Sequence, residues 1–155
     1  MTYDLIKYLH VLGATVILGT GAGIAFFMLM SHLSRDAAFI ARTAGVVVLA
    51  DFIFTATAIA IQPVTGYILM RETETPFTEG WLALALAFYV VAGLFWLPVV
   101  WMQRRMRDLA AAAASAAKPL PHEYHRLFRL WFLFGFPGFG SVLAILWLMI
   151  AKPAL

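Results

Sequence analysis

From Val11 to Ser31 the chain runs for 21 residues without a charged side chain. An α-helix of about 20 apolar residues, rising ~1.5 Å each, is what it takes to cross the hydrocarbon core of a bilayer. Three further apolar stretches follow, so the sequence predicts spans at about 5–31, 43–70, 81–103 and 130–151. Only 12% of the residues are charged and 63% are hydrophobic, with a mean hydropathy of +0.89. A soluble domain carries about a quarter charged residues, so this chain reads as an integral membrane protein with a single domain, 1–155. The first span is too long for a signal-peptide core and no A-x-A-like site follows it, so it is expected to be retained. The absence of cysteine excludes disulfides and thiolate metal sites.

Short connections between four spans predict an all-α, up-down-up-down transmembrane bundle. Eight of the eleven Lys and Arg residues lie in the two connections 1–2 and 3–4: Arg35, Arg42, Arg104, Arg105, Arg107, Lys118, Arg126 and Arg129. Lys7, Arg71 and Lys152 lie on the other side. The positive-inside bias then puts both basic connections in the cytoplasm and both termini outside. The net charge of +3 is thereby a topology signal, and no nucleic-acid partner is expected. Ser34 is a candidate N-cap for a short helical link through Ala37–Arg42. Pro63 should kink span two. The alanine-rich run Leu109–Ala117 should prolong span three beyond the lipid, until Lys118-Pro119-Leu120-Pro121 ends it. Gly135-Phe136-Pro137-Gly138-Phe139-Gly140 predicts a break in the fourth helix.

Polar groups inside such spans are the candidates for chemistry. At ~100° per residue His10, Ala14, Ile17, Gly21, Met28 and His32 share one stripe of the first helix. On the second, Asp51, Thr55, Gln62 and Thr65 share another, and a carboxylate at that depth costs about 2.5–3.5 kcal/mol on insertion scales. Both stripes are expected to face the bundle interior. Asp51 then reads either as an interhelical contact or as a proton or cofactor site. Neutral imidazole is the usual ligand of haem iron, which makes His10 the candidate metal ligand, with Met70, Met149, Lys152 or an open position opposite it. His32 is too far along the helix to share a metal with His10. It would pair instead with His122 or His125, which enter span four from the same side. The tryptophans lie mostly near span ends and read as an aromatic belt.

Several segments carry a resemblance. Ile6-Lys7-Tyr8-Leu9-His10, the Asp51 span with Gln62-Pro63, Trp96-Leu97-Pro98-Val99-Val100-Trp101, Arg105-Met106-Arg107-Asp108-Leu109, Arg126-Leu127-Phe128-Arg129-Leu130-Trp131 and Ala151-Lys152-Pro153 together resemble the DUF2269 family of predicted bacterial integral membrane proteins. This implies the bacterial inner membrane as location. Lys7-x-x-His10 and the apolar helix ending at His32 are similar to the first helix of HemJ-type protoporphyrinogen oxidases and, more distantly, of CopD-like membrane proteins. That likeness covers one helix; it implies a small bundle binding haem b, with His10 as a ligand.

The expectation is thus a haem b-binding membrane protein with a redox or haem-handling role, a candidate haem-dependent oxidoreductase. His10 would be the axial ligand, Asp51 and Gln62 proton or propionate contacts, and Lys7 and Lys152 further propionate partners. The alternatives are a small transporter or channel-like protein and a non-catalytic accessory subunit. The partners expected are the lipid bilayer and either a second copy of the chain or a redox protein.

Overall fold

A computed structural model describes residues 2–154, and every regular element among them is helical. Helix α1 spans Thr2–Ser34, α2 Ala37–Ala50, α3 Ala56–Glu72, α4 Gly80–Ser115 and α5 His122–Ala151. A π-helical turn, Asp51–Thr55, joins α2 to α3, so the two form one continuous rod, Ala37–Glu72. Four helical rods result, each long and apolar enough to cross a membrane. The rods of 36 residues are about 54 Å long, well beyond a ~30 Å hydrocarbon core. They must project from it. The α4 helix does so through the alanine run as expected, and ends where Ala117 turns left-handed (φ 50°) and the Lys118 amide caps the Ala113 carbonyl at 3.0 Å.

The connection between α1 and α2 is only Arg35 and Asp36. Arg35 takes a left-handed φ of 58°, and the Asp36 carboxylate accepts from the Ala38 and Phe39 amides at 2.8 and 3.0 Å. Asp36, not Ser34, is therefore the N-cap, because its side chain reaches both amides while the Ser34 hydroxyl is turned back to the Ser31 carbonyl at 2.6 Å. No separate link helix exists: residues 37–42 are the first turns of α2.

The expected break in the fourth helix is corrected. Helix α5 runs unbroken through Gly135–Gly140 with Pro137 inside it, and no glycine among the described residues takes a positive φ. In lipid there is no water to satisfy an opened backbone, so the helical hydrogen bonds outweigh the weak intrinsic propensity of glycine. The Ser141 hydroxyl adds a bond to the Pro137 carbonyl at 2.7 Å. The absence of a side chain at Gly138 instead brings α5 close to α4, where an added Cβ would sit 3.5 Å from that of Phe95.

The core is concentrated at one end. Ile24 and Met28 of α1, Ile40, Ala44 and Val47 of α2, Met102, Met106 and Ala110 of α4, and Tyr124, Leu127, Phe128 and Trp131 of α5 form a single buried cluster. All lie toward the two basic connections, here termed the basic end. Beyond it, toward the opposite, terminal end, α3 packs chiefly on α1 and α4 on α5, with the Tyr89 hydroxyl of α4 bonded to the Ile59 carbonyl of α3 at 2.7 Å. Large apolar side chains cover the outside: Phe26, Phe27, Phe52, Phe54, Leu94, Leu97 and Phe136 are all at least half exposed. In water such a surface would aggregate; in a bilayer it is the solvated face.

Candidate functional site

The two polar stripes both turn inward. On α1, His10, Ala14, Ile17, Gly21, Met28 and His32 are all buried or half-buried, whereas Val11, Leu12, Phe26 and Phe27 are exposed. On the rod of α2 and α3, Asp51, Thr55 and Thr65 are buried and Gln62 is half-buried. The stripes do not converge on one site, however. His10 with Gln62 and Thr65 lies toward the terminal end, Asp51 near the middle of its rod and His32 at the basic end.

At the terminal station His10 packs against α3. Its Nδ1 lies 2.8 Å from the Thr65 hydroxyl, and the Gln62 side-chain amide donates to the His10 backbone carbonyl at 2.8 Å. The Thr65 oxygen also lies 3.0 Å from the Ile61 carbonyl and 3.2 Å from that of Gln62. With its single hydrogen given back along its own helix, Thr65 is left to accept from His10 Nδ1–H. That choice of tautomer leaves a lone pair on Nε2. Two glycines permit this close approach. A Cβ at Gly66 would sit 3.3 Å from His10 Cε1, and one at Gly13 would clash with the Gln62 side-chain amide. Lys7, one turn earlier on α1, is exposed with its ammonium 5.7 Å from the centre of the Tyr3 ring. Lys152 lies over Trp81 at 5.3 Å, tying the end of α5 to the start of α4.

The middle station is closed. Asp51, at the start of the π-turn, is 3% exposed. With the Gln103 amide oriented by its neighbours, its nitrogen donates to Asp51 Oδ2 at 2.8 Å and its oxygen accepts from the Trp131 indole at 3.3 Å. The Trp96 indole approaches Asp51 Oδ1 at 3.4 Å, longer than an ordinary N–H···O bond. The chain Trp131–Gln103–Asp51–Trp96 thus ties α5, α4 and the π-turn together. Thr55, one turn on, buries its hydroxyl oxygen beside the Asp51 carboxylate, without a hydrogen bond of ordinary geometry. π-turns inside α-helices occur frequently at functional sites, and here the turn carries the one carboxylate of the spans that is buried. Two tryptophans are therefore not belt residues: Trp96 is half-buried and Trp131 is 5% exposed, both turned toward polar partners.

His32 forms a third, aromatic station at the basic end. Its ring stacks on Phe128 with centroids 3.6 Å apart, and its Nδ1 lies 3.2 Å from the Tyr124 hydroxyl. The exposed His125 lies 6.0 Å away, edge to face. Among the described residues no group of three or more His, Asp or Glu side chains is gathered as a metal site.

The structure thus brings His10 and Gln62 together, and His32 near His125, but holds Asp51 eleven residues from Gln62, roughly 16 Å along the rod. Gln103, Trp131 and Tyr89 carry no sequence signal that marks them as partners. Tyr89 is the lone hydroxyl of the third span, but its partner, the Ile59 backbone carbonyl, leaves no mark in a sequence. The family described as "Predicted integral membrane protein (DUF2269)" matches residues 4–153. No curated protein and no solved structure matches the chain.

Proposed function

The chain belongs to the DUF2269 family of predicted integral membrane proteins, and from that premise we propose that it binds haem b through His10 and serves a redox or haem-handling role. The observation that carries this reading is the His10 ring itself: one nitrogen is committed to Thr65 and the other is left to act as a ligand. Metal-ligating histidines characteristically have their second nitrogen held in this way, which fixes the tautomer and the ring orientation. His10 is the residue that would hold the group, through the ring nitrogen that Thr65 leaves free. Haem b, when bound, supplies a one-electron iron couple.

The chain's own residues divide the remaining work. Thr65 and Gln62 fix the imidazole and the backbone beneath it. Lys7 and Lys152 put positive charge at the terminal end, where propionates would be held. Asp51, far along the rod and bonded to Gln103, serves a proton or packing role at its own station. The excess of Lys and Arg on the two short connections supports an orientation with the basic end in the cytoplasm of a bacterial inner membrane and the N-terminus outside.

The test is the visible spectrum of the detergent-solubilised protein, purified after expression with ample haem. A Soret band is expected in the wild type and should be lost in His10→Ala. Thr65→Val should retain a band of altered position or intensity, because the imidazole loses the bond that orients it. A wild-type protein without a Soret band would sink the proposal and leave a packing or accessory module.

A further inference from the structure

Where the π-turn meets α4, on the outside of the bundle, a groove of ≈ 430 Å³ opens to the lipid. Phe52, Leu97, Val100 and Trp101 make its apolar walls, and the ring of Trp96, whose nitrogen points to Asp51, closes its back. Leu97 is 63% exposed and Trp101 60%, so the groove is open laterally. Two helical turns beyond Leu97, about 10 Å toward the basic end, the walls give way to Arg104, Arg105 and Asp108.

The charges at that mouth are not equivalent. Arg105 is engaged by Glu123 through two bonds of 2.8 and 3.2 Å. Asp108 is held by Arg107 at 2.7 Å. Arg104 has no carboxylate partner among the described residues; its guanidinium lies 5.9 Å from the centre of the Phe52 ring. The groove therefore ends in one uncompensated cation, placed where α4 passes from apolar to charged sequence, which is headgroup depth. An apolar slot with a free positive charge at its interfacial end complements a molecule with the opposite arrangement.

We propose that this groove is a binding site for an anionic phospholipid of the leaflet at the basic end, with its phosphate on Arg104 and an acyl chain lying between Phe52 and Leu97–Trp101. A zwitterionic lipid gains less here, because the one carboxylate at the mouth is already neutralised by Arg107 and has nothing to give a choline. Basic pockets between membrane helices bind acidic headgroups on the same physical grounds.

The experiment uses the full chain, purified in a neutral detergent. Binding of phosphatidylglycerol and phosphatidylcholine is measured by native mass spectrometry and by the rise in melting temperature on lipid addition. Phosphatidylglycerol should bind in preference and raise the melting temperature. Arg104→Gln should weaken its binding about fivefold, the effect of one basic residue at an acidic surface. Leu97→Trp, which fills the slot and leaves every charge in place, should weaken both lipids. Arg126→Gln, exposed at the same end but outside the groove, should change binding by less than twofold. Equal binding of the two lipids would overturn the proposal. So would retention of wild-type affinity in Arg104→Gln or Leu97→Trp, or an equal loss in Arg126→Gln. Should Arg104→Gln fail to fold, Leu97→Trp decides the question alone.

Discussion

The Tyr89 hydroxyl of α4 donates to the backbone carbonyl of Ile59 on α3 at 2.7 Å. That carbonyl is the one Pro63, four residues on, has no amide hydrogen to serve. A neighbouring helix thus supplies the bond that the proline removes, which is how proline is tolerated inside a membrane helix. Tyr89→Phe should destabilise the protein by about 0.5–1.5 kcal/mol. Pro63→Ala restores the amide, and in that background Tyr89→Phe should be close to neutral. Unfolding in mixed micelles would reveal the coupling in a double-mutant cycle; strict additivity would show that the two residues are not linked in this way.

The Gln103–Asp51 bond makes a second coupled pair. Asp51→Leu strands the Gln103 amide nitrogen in a buried site and should cost about 1–3 kcal/mol. Asp51→Asn, which keeps an acceptor oxygen facing Gln103, should cost less. Replacing both Asp51 and Gln103 by Leu should destabilise by at least 1 kcal/mol less than the two single changes summed. The same unfolding series, followed by tryptophan fluorescence, reads both stability and the environment of Trp131, which loses its acceptor with Gln103.

At the terminal station Gly13→Ala places a methyl against the Gln62 amide. That amide ends a flexible side chain and can swing aside, so the expected loss is only its bond to the His10 carbonyl, about 0.5–1.5 kcal/mol. With Gln62→Ala already present the same substitution should be tolerated. Gly23→Ala, whose added methyl meets nothing within 4 Å, should stay within about 0.5 kcal/mol of wild type. A large penalty for Gly13→Ala in the Gln62→Ala background would show that something other than this contact keeps the position small.

These pairs mark where the sequence was readable. The four rods follow from runs of uncharged residues, whose length alone decides the matter in a bilayer. The inward stripes follow from helical periodicity and the cost of placing Asp51 and His10 in lipid. What periodicity does not contain is the level at which one helix meets another. His10 and Asp51 both face inward, yet they belong to different stations, because the antiparallel rods set Thr65 beside one and Gln103 beside the other. The π-turn at Asp51 is likewise invisible in a stretch, 46–62, that holds neither glycine nor proline to mark it. The misread glycines of α5 show the converse error: a propensity measured in water was applied where backbone bonds have no competing solvent.

Thr55 gives the most counterintuitive expectation. The residue is 5% exposed and its hydroxyl oxygen makes no hydrogen bond of ordinary geometry, although the buried Asp51 lies one turn back. A hydroxyl buried without a partner costs about 1–3 kcal/mol relative to an apolar group in the same place. Thr55→Val keeps the branched shape and removes that penalty, so it should stabilise the protein by about 1 kcal/mol. Thr55→Ala removes the hydroxyl too, but it also removes a methyl from a packed site, at a cost of about 1 kcal/mol for the space left behind, and should end near wild type or below it. The two variants therefore separate polarity from volume, and their order in a denaturant or thermal series is the measurement. If Thr55→Val is instead the less stable protein, the hydroxyl bonds to the Asp51 carboxylate one turn back.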